Sequence, residues 1–106
     1  MSTIKNEVNQ LLLSIIIATL NREEYIERCL VSIFKEIESN YQNTEVIIID
    51  GGSKDKTVEI LKKYDHKIAY WVSEPDSGVS DATNKAIAKA KGDVIRGIGD
   101  DDELIP

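Results

Sequence analysis

The chain has 106 residues, of which 42% are hydrophobic and 30% charged, with 13 basic residues against 19 acids and a net charge of −6. That is one domain with enough apolar material for a core. Basic residues scattered through an acidic chain argue against nucleic acid or anionic membrane as partners, because neutralising phosphates dominates affinity for both. A single cysteine, Cys29, excludes an internal disulfide.

Residues 1–10 read as a polar leader and 11–106 as the domain. Leu11 to Leu20 is too short to span a bilayer. Glu7 before it and Asn21-Arg22-Glu23-Glu24 after it do not suit a secretory signal. It reads as a buried strand, Leu12 to Ala18, leading into Thr19-Leu20-Asn21-Arg22. Asn21, with Glu24 three residues on, predicts a helix cap. Ile26, Cys29, Leu30, Ile33, Phe34 and Ile37 then recur at helical spacing, which makes Cys29 a core residue. Ser39-Asn40 ends this helix and Gln42-Asn43-Thr44 forms a turn. The second strand, Val46 to Ile49, runs into Asp50-Gly51-Gly52-Ser53. Asp55 caps a second helix with Val58, Leu61 and Tyr64 inward, and Asp65-His66-Lys67 breaks it, leaving His66 in a solvated turn. The third strand, Ile68 to Val72, leads into Ser73-Glu74-Pro75-Asp76-Ser77-Gly78. A third helix follows from Val79 to Lys91, with Val79, Ala82, Ala86, Ile87 and Ala90 on one face and Gly92 as its stop. The fourth strand, Val94 to Ile98, ends in Gly99-Asp100-Asp101-Asp102.

Strands alternating with helices predict an α/β fold, a Rossmann-like parallel sheet with right-handed crossovers. Ligands bind beyond the carboxyl ends of the strands in such sheets, and all four polar clusters would share that edge. Asp100, Asp101 and Asp102 repel one another unless solvated or bound to a cation. They are either an acidic turn or oxygen ligands for a hard ion such as Mg²⁺ or Mn²⁺. The glycines after Asp50 allow positive φ and close approach of a ligand, or make a plain strand-to-helix turn. No G-x-G-x-x-G follows the first strand and no P-loop is present. The residues from Asp50 to Glu59 do not match an EF-hand, and the lone His66 has no nucleophile spaced to it.

Taken in order, several segments resemble the nucleotide-sugar glycosyltransferases of family 2, which have the GT-A fold. They are Ser14 to Arg22, Val46 to Thr57, Trp71 to Lys85, Ala90 to Ile95, and Asp101-Asp102 with Pro106. The resemblance implies strand order 3-2-1-4, the nucleotide-binding half of that fold, with Thr19 and Asp101 flanking the switch between strands 1 and 4. It implies a nucleotide site drawn from Thr19, Asn21, Arg22, Asp50, Gly51, Ser53, Asp81 and Asn84. Thr19, Asn21 and Asp50 would line the base and ribose pocket. It also implies a divalent cation, Mn²⁺ or Mg²⁺, on Asp100, Asp101 or Asp102, bridging to the diphosphate of a nucleotide-sugar donor, with a uridine nucleotide expected. Inverting transfer to a carbohydrate or lipid-linked acceptor, in polysaccharide biosynthesis, would follow, with the general base and much of the acceptor site beyond Pro106. Two departures stand out: Gly51 replaces an acid that contacts the base in many members, and Gly99 stands where the metal motif often opens with Asp or Asn. The alternatives are a nucleotidyltransferase fragment and a flavodoxin-like or receiver-type regulatory domain. An abrupt end after the acids suggests a fragment whose fourth strand is an open edge. That favours a homodimer, with no nucleic acid as partner. A cytoplasmic location is expected, with the membrane surface reached only through other parts or partners.

Overall fold

The computed structural model describes residues 11–39 and 43–99. Strands β1 (Leu13–Thr19), β2 (Thr44–Asp50), β3 (Tyr70–Ser73) and β4 (Val94–Gly97) alternate with helices α1 (Ile26–Ser39), α2 (Thr57–Lys63) and α3 (Val79–Lys89). All strand pairs are parallel and the sheet order is β3-β2-β1-β4, as the resemblance implied. The register sets Thr19 opposite Asp50 and Asp50 opposite Ser73. Three polar side chains therefore end level at the carboxyl edge.

The two central strands bury both faces, which is why they read as continuous runs of isoleucine. Ile15, Ile17, Val46 and Ile48 face α1 and α2, in a core with Ile26, Cys29, Leu30, Ile33, Phe34 and Leu61. Ile16, Ile47 and Ile49 face α3, where Ala82 and Ala86 let the helix come close. Burying each isoleucine is worth about 1.5–3 kcal/mol, so the β1–β2 pair and its helices supply most of the driving force. A surface contact joins α1 to α2: Glu27 accepts from Lys63 Nζ at 2.6 Å and from the Tyr64 hydroxyl at 2.7 Å. Those bonds, Lys63's first, hold the Glu27 carboxyl below its ordinary range.

The α1 stripe from Ile26 to Phe34 is buried as its spacing predicts, and His66 is exposed in a short 3-10 turn. Several local expectations fail for identifiable reasons. Asn21 does not cap α1. It adopts φ 52°, and its Oδ1 accepts the Lys54 N–H at 2.8 Å. The Arg22 carbonyl instead accepts the N–H groups of Tyr25, in the turn before the helix, and of Ile26, its first residue. Asp55 does serve α2, from one residue further out, accepting the Thr57 N–H at 2.9 Å. Thr57 is buried at the start of α2, whereas Val58 is only half-buried. Val79 and Ile87 do not join the buried face of α3; they are 74% and 45% exposed. The buried apolar residues of that helix are Ala82 and Ala86. The helix ends at Lys89, where Ala90 turns extended, so Gly92 is not its stop. Gly92 passes so close to β1 that a Cβ would overlap Ser14 Oγ and lie 2.7 Å from the Ser14 backbone nitrogen. In β4, Val94 and Ile95 are exposed despite their apolar character, since the strand lies at the margin of the sheet, outside the cover of α3.

Gly92→Ala is expected to destabilise the fold by about 1–3 kcal/mol through overpacking against β1. The measurement is the urea midpoint of unfolding at unchanged slope. A midpoint equal to the parent's would mean that the α3–β4 connection shifts freely and that the close approach is not a constraint.

Candidate functional site

The loops after β1 and β2 are stapled together. Asn21 N–H donates to Ser53 Oγ at 2.7 Å, Arg22 N–H to Thr57 Oγ1 at 2.9 Å, and Glu23 N–H to Asp55 Oδ2 at 3.1 Å. In return Asn21 Oδ1 accepts from Lys54, as above, and the Gly51 N–H reaches back to the Thr19 carbonyl at 2.9 Å. Partial burial works to raise the Asp55 carboxyl, but its hydrogen bonds, Thr57's first, outweigh this and hold it below the usual carboxylate range.

Asp50, at the end of β2, is fully buried. Its Oδ2 accepts from Ser53 N–H at 2.7 Å, Gly52 N–H at 3.2 Å and Ser73 Oγ at 2.6 Å, and its Oδ1 accepts from Ser53 Oγ. A buried carboxylate is tolerable only with such donors. Gly52 has φ 91° with the Pro75 backbone 3.3 Å from where a Cβ would stand, so the loop needs glycine there. Thr19, opposite Asp50, is 5% exposed, and its Oγ1 is the one buried side-chain polar atom without a hydrogen-bond partner among the described residues.

Thr19 lines an open cleft of about 540 Å³ between the end of β1, α3 and the end of β4. Ile16, Ala18, Ala82 and Ala86 give it an apolar floor, and Arg22, Asp76, Thr83 and Gly99 stand on its polar rim. This is the size and character of a small-ligand site: mostly apolar, with a few polar groups. Of the residues singled out from the sequence, Thr19 and Arg22 line the cleft. Asn21, Asp50, Gly51 and Ser53 build the loop platform beside it. Asp81 accepts the Ser77 N–H at 3.0 Å and pins the turn before α3, and Asn84 is exposed on that helix. Asp76, Thr83 and Gly97 were not singled out. The polar cluster from Ser73 to Gly78 was the signal available for Asp76. Asp100, Asp101 and Asp102 lie outside the described residues, and no group of three His, Cys, Asp or Glu among the described residues could hold a metal ion.

The family model described as glycosyl transferase family 2 matches residues 14–106. The chain belongs to glycosyl transferase family 2. It is 34% identical over 98 residues to an uncharacterized glycosyltransferase of Haemophilus influenzae, covering 90% of this chain and 38% of that protein. It is 31% identical over 93 residues to glycosyltransferase GlyA of Streptococcus pneumoniae, covering 85% of this chain and 13% of the relative. The chain thus spans well under half the length of these curated family members. Among solved structures, TarS of S. aureus in complex with UDP-GlcNAc superposes with a TM-score of 0.74 at 28% identity, over 86% of this chain and 27% of that one. Mannosyltransferase PcManGT of Pyrobaculum calidifontis, with GDP-Man and Mn²⁺, superposes with a TM-score of 0.76 at 25% identity, over 87% and 28%. The fold is therefore that of GT-A glycosyltransferases, of which this chain matches a part.

Asp50→Ala leaves two amides and two hydroxyls without their acceptor and should cost at least about 2 kcal/mol. Asp50→Asn should cost less, because its carbonyl can take the place of Oδ2. Thermal melts rank the three proteins. Equal melting of the alanine variant and the parent would show that the carboxylate does not hold the loop.

Proposed function

We propose that this chain is the donor-binding part of a glycosyltransferase. It holds a nucleotide-diphospho-sugar, a uridine nucleotide first among candidates, for inverting transfer of the sugar to the hydroxyl of a carbohydrate or lipid-linked acceptor. The observation that carries the reading is the unpartnered, buried Thr19 hydroxyl at the mouth of the cleft, where β1 ends beside β4 at the switch of strand order. Leaving such a group unbonded costs roughly 1–3 kcal/mol, and a ligand hydroxyl or base edge would recover it. Stapled loops support the reading, because a platform already held by its own hydrogen bonds loses little freedom on binding. The UDP-GlcNAc and GDP-Man held by the two structural neighbours accord with a nucleotide-sugar. In this reading the other sequence candidates, Asn21, Arg22, Asp50, Gly51, Ser53, Asp81 and Asn84, belong to the nucleotide site as contacts or as its supports.

The cation reading fits the donor chemistry. Gly99 lines the cleft and the sequence continues Asp100-Asp101-Asp102, a set of hard carboxylate oxygens suited to Mn²⁺ or Mg²⁺. These residues would hold the ion, and it would supply Lewis-acid stabilisation of a departing diphosphate. In a chain of net charge −6 it would also offset repulsion of the anionic donor. No described helix is long and apolar enough to cross a membrane. The reading places the protein in the cytoplasm and in polysaccharide synthesis, with self-association through the outer edge of β4, where Arg96 is the only charge in the strand.

Two measurements follow. Thr19→Val should melt higher than the parent, since an unpaired polar atom is removed, yet bind uridine diphosphate at least about tenfold more weakly. Calorimetry with Mn²⁺ and again with EDTA should show affinity falling without the ion. A valine variant that binds as the parent does removes the observation this reading rests on, and equal affinity with and without metal removes the shared cation. Separately, sedimentation over a range of concentrations should show a dimer. A monomer of 11.9 kDa at every concentration would dismiss pairing through β4.

A further inference from the structure

The charged groups beside the cleft spend most of their hydrogen-bonding capacity on their own neighbours. Asp50 is saturated by Gly52, Ser53 and Ser73, and Asp81 holds the Ser77 amide. Lys85, the nearest cation on α3, is paired with Glu74 at 3.2 Å and Asp81 at 3.6 Å. Asp76 is the exception. It lines the cleft half-buried, its Oδ1 accepts the Gly78 N–H at 3.0 Å, and its Oδ2 has no hydrogen-bond partner among the described residues.

Its position is coupled to Gly51. A Cβ on Gly51 would lie 3.2 Å from both carboxylate oxygens of Asp76. Gly51 is not among the glycines with positive φ, which are Gly52 and Gly78. Backbone conformation therefore does not call for glycine at 51. What calls for it is the carboxylate lying over the end of β2.

We propose that Asp76 reads the base of the nucleotide, its open oxygen accepting from a ring N–H. This rests on the nucleotide-sugar reading and adds a selection rule to it. Uracil at N3 and guanine at N1 present a hydrogen on their pairing edge. Cytosine N3 and adenine N1 present a bare lone pair there, which a carboxylate repels. A charge-assisted bond is gained with the first pair of bases, and an acceptor faces an acceptor with the second. The site thus selects keto bases over amino bases, and Gly51 makes room for the group that does it.

Asp76→Asn tests this with little disturbance, because the amide oxygen can still accept from Gly78 while the open oxygen becomes an NH₂ donor. Calorimetry in Mn²⁺ compares uridine, guanosine, cytidine and adenosine diphosphates. The parent should bind one of the first two at least about tenfold more tightly than cytidine or adenosine diphosphate. In Asp76→Asn that preference should shrink or reverse, because the new donor suits a bare ring nitrogen. General loosening of the loop would instead weaken all four alike and leave the ratios in place. Should the asparagine variant fail to fold by circular dichroism, Gly51→Ala serves. Its methyl displaces the carboxylate and should also erode the preference. Parental ratios in a folded variant, or equal binding of all four nucleotides by the parent, overturn the role of Asp76 and leave the nucleotide reading intact. If the parent binds none of them, the nucleotide reading itself falls.

Discussion

A buried carboxylate organises the working edge of this protein. Asp50 ends the central strand β2 with no exposed surface, and burial of an ion is costly unless donors surround it. Those donors come from the following turn and from Ser73 at the end of β3. Meeting that need curls the loop over the strand end and presents Ser53 to Asn21. The loop after β1 is then held through Arg22 and Glu23. The chain of consequence runs from one charge, through two loops, to the wall of the cleft.

Satisfying Asp50 also decides which groups remain for a ligand. A polar edge whose amides and carboxylates bond one another is rigid but chemically quiet. Against that background Thr19 Oγ1 and Asp76 Oδ2 stand out as atoms without hydrogen-bond partners among the described residues. Both border the apolar floor made by Ile16, Ala18 and the alanines of α3. A flat ring can lie on such a floor while its edge meets the polar atoms, the usual division between affinity and orientation in small-ligand sites. Small residues on α3 serve both ends: they let the helix approach the sheet, and they leave the cleft open.

The sequence by itself determined the layering of this fold. Isoleucine runs in β1 and β2 demand burial on two faces, and the α1 spacing from Ile26 to Phe34 can be met only by a helix laid on one of them. Turn-forming clusters at the strand ends point to the carboxyl edge, and Thr19 and Arg22, which the family resemblance offers, line the cleft found there. Strand order and family were read from motifs in series, since periodicity alone does not set the order of parallel strands. What only the tertiary structure decided were side-chain partnerships between segments far apart in the chain. Asn21 reads locally as a helix cap, yet it bonds Lys54, because the neighbouring loop offers a better-placed amide. Gly92 reads as a helix stop, yet it answers to Ser14, 78 residues away. Gly51 reads as turn flexibility, yet it clears space for Asp76. Local patterns record propensity, which a single segment carries alone. Which polar atom is consumed and which is left for a ligand depends on what packing brings opposite it, and that appears only when the strands are side by side.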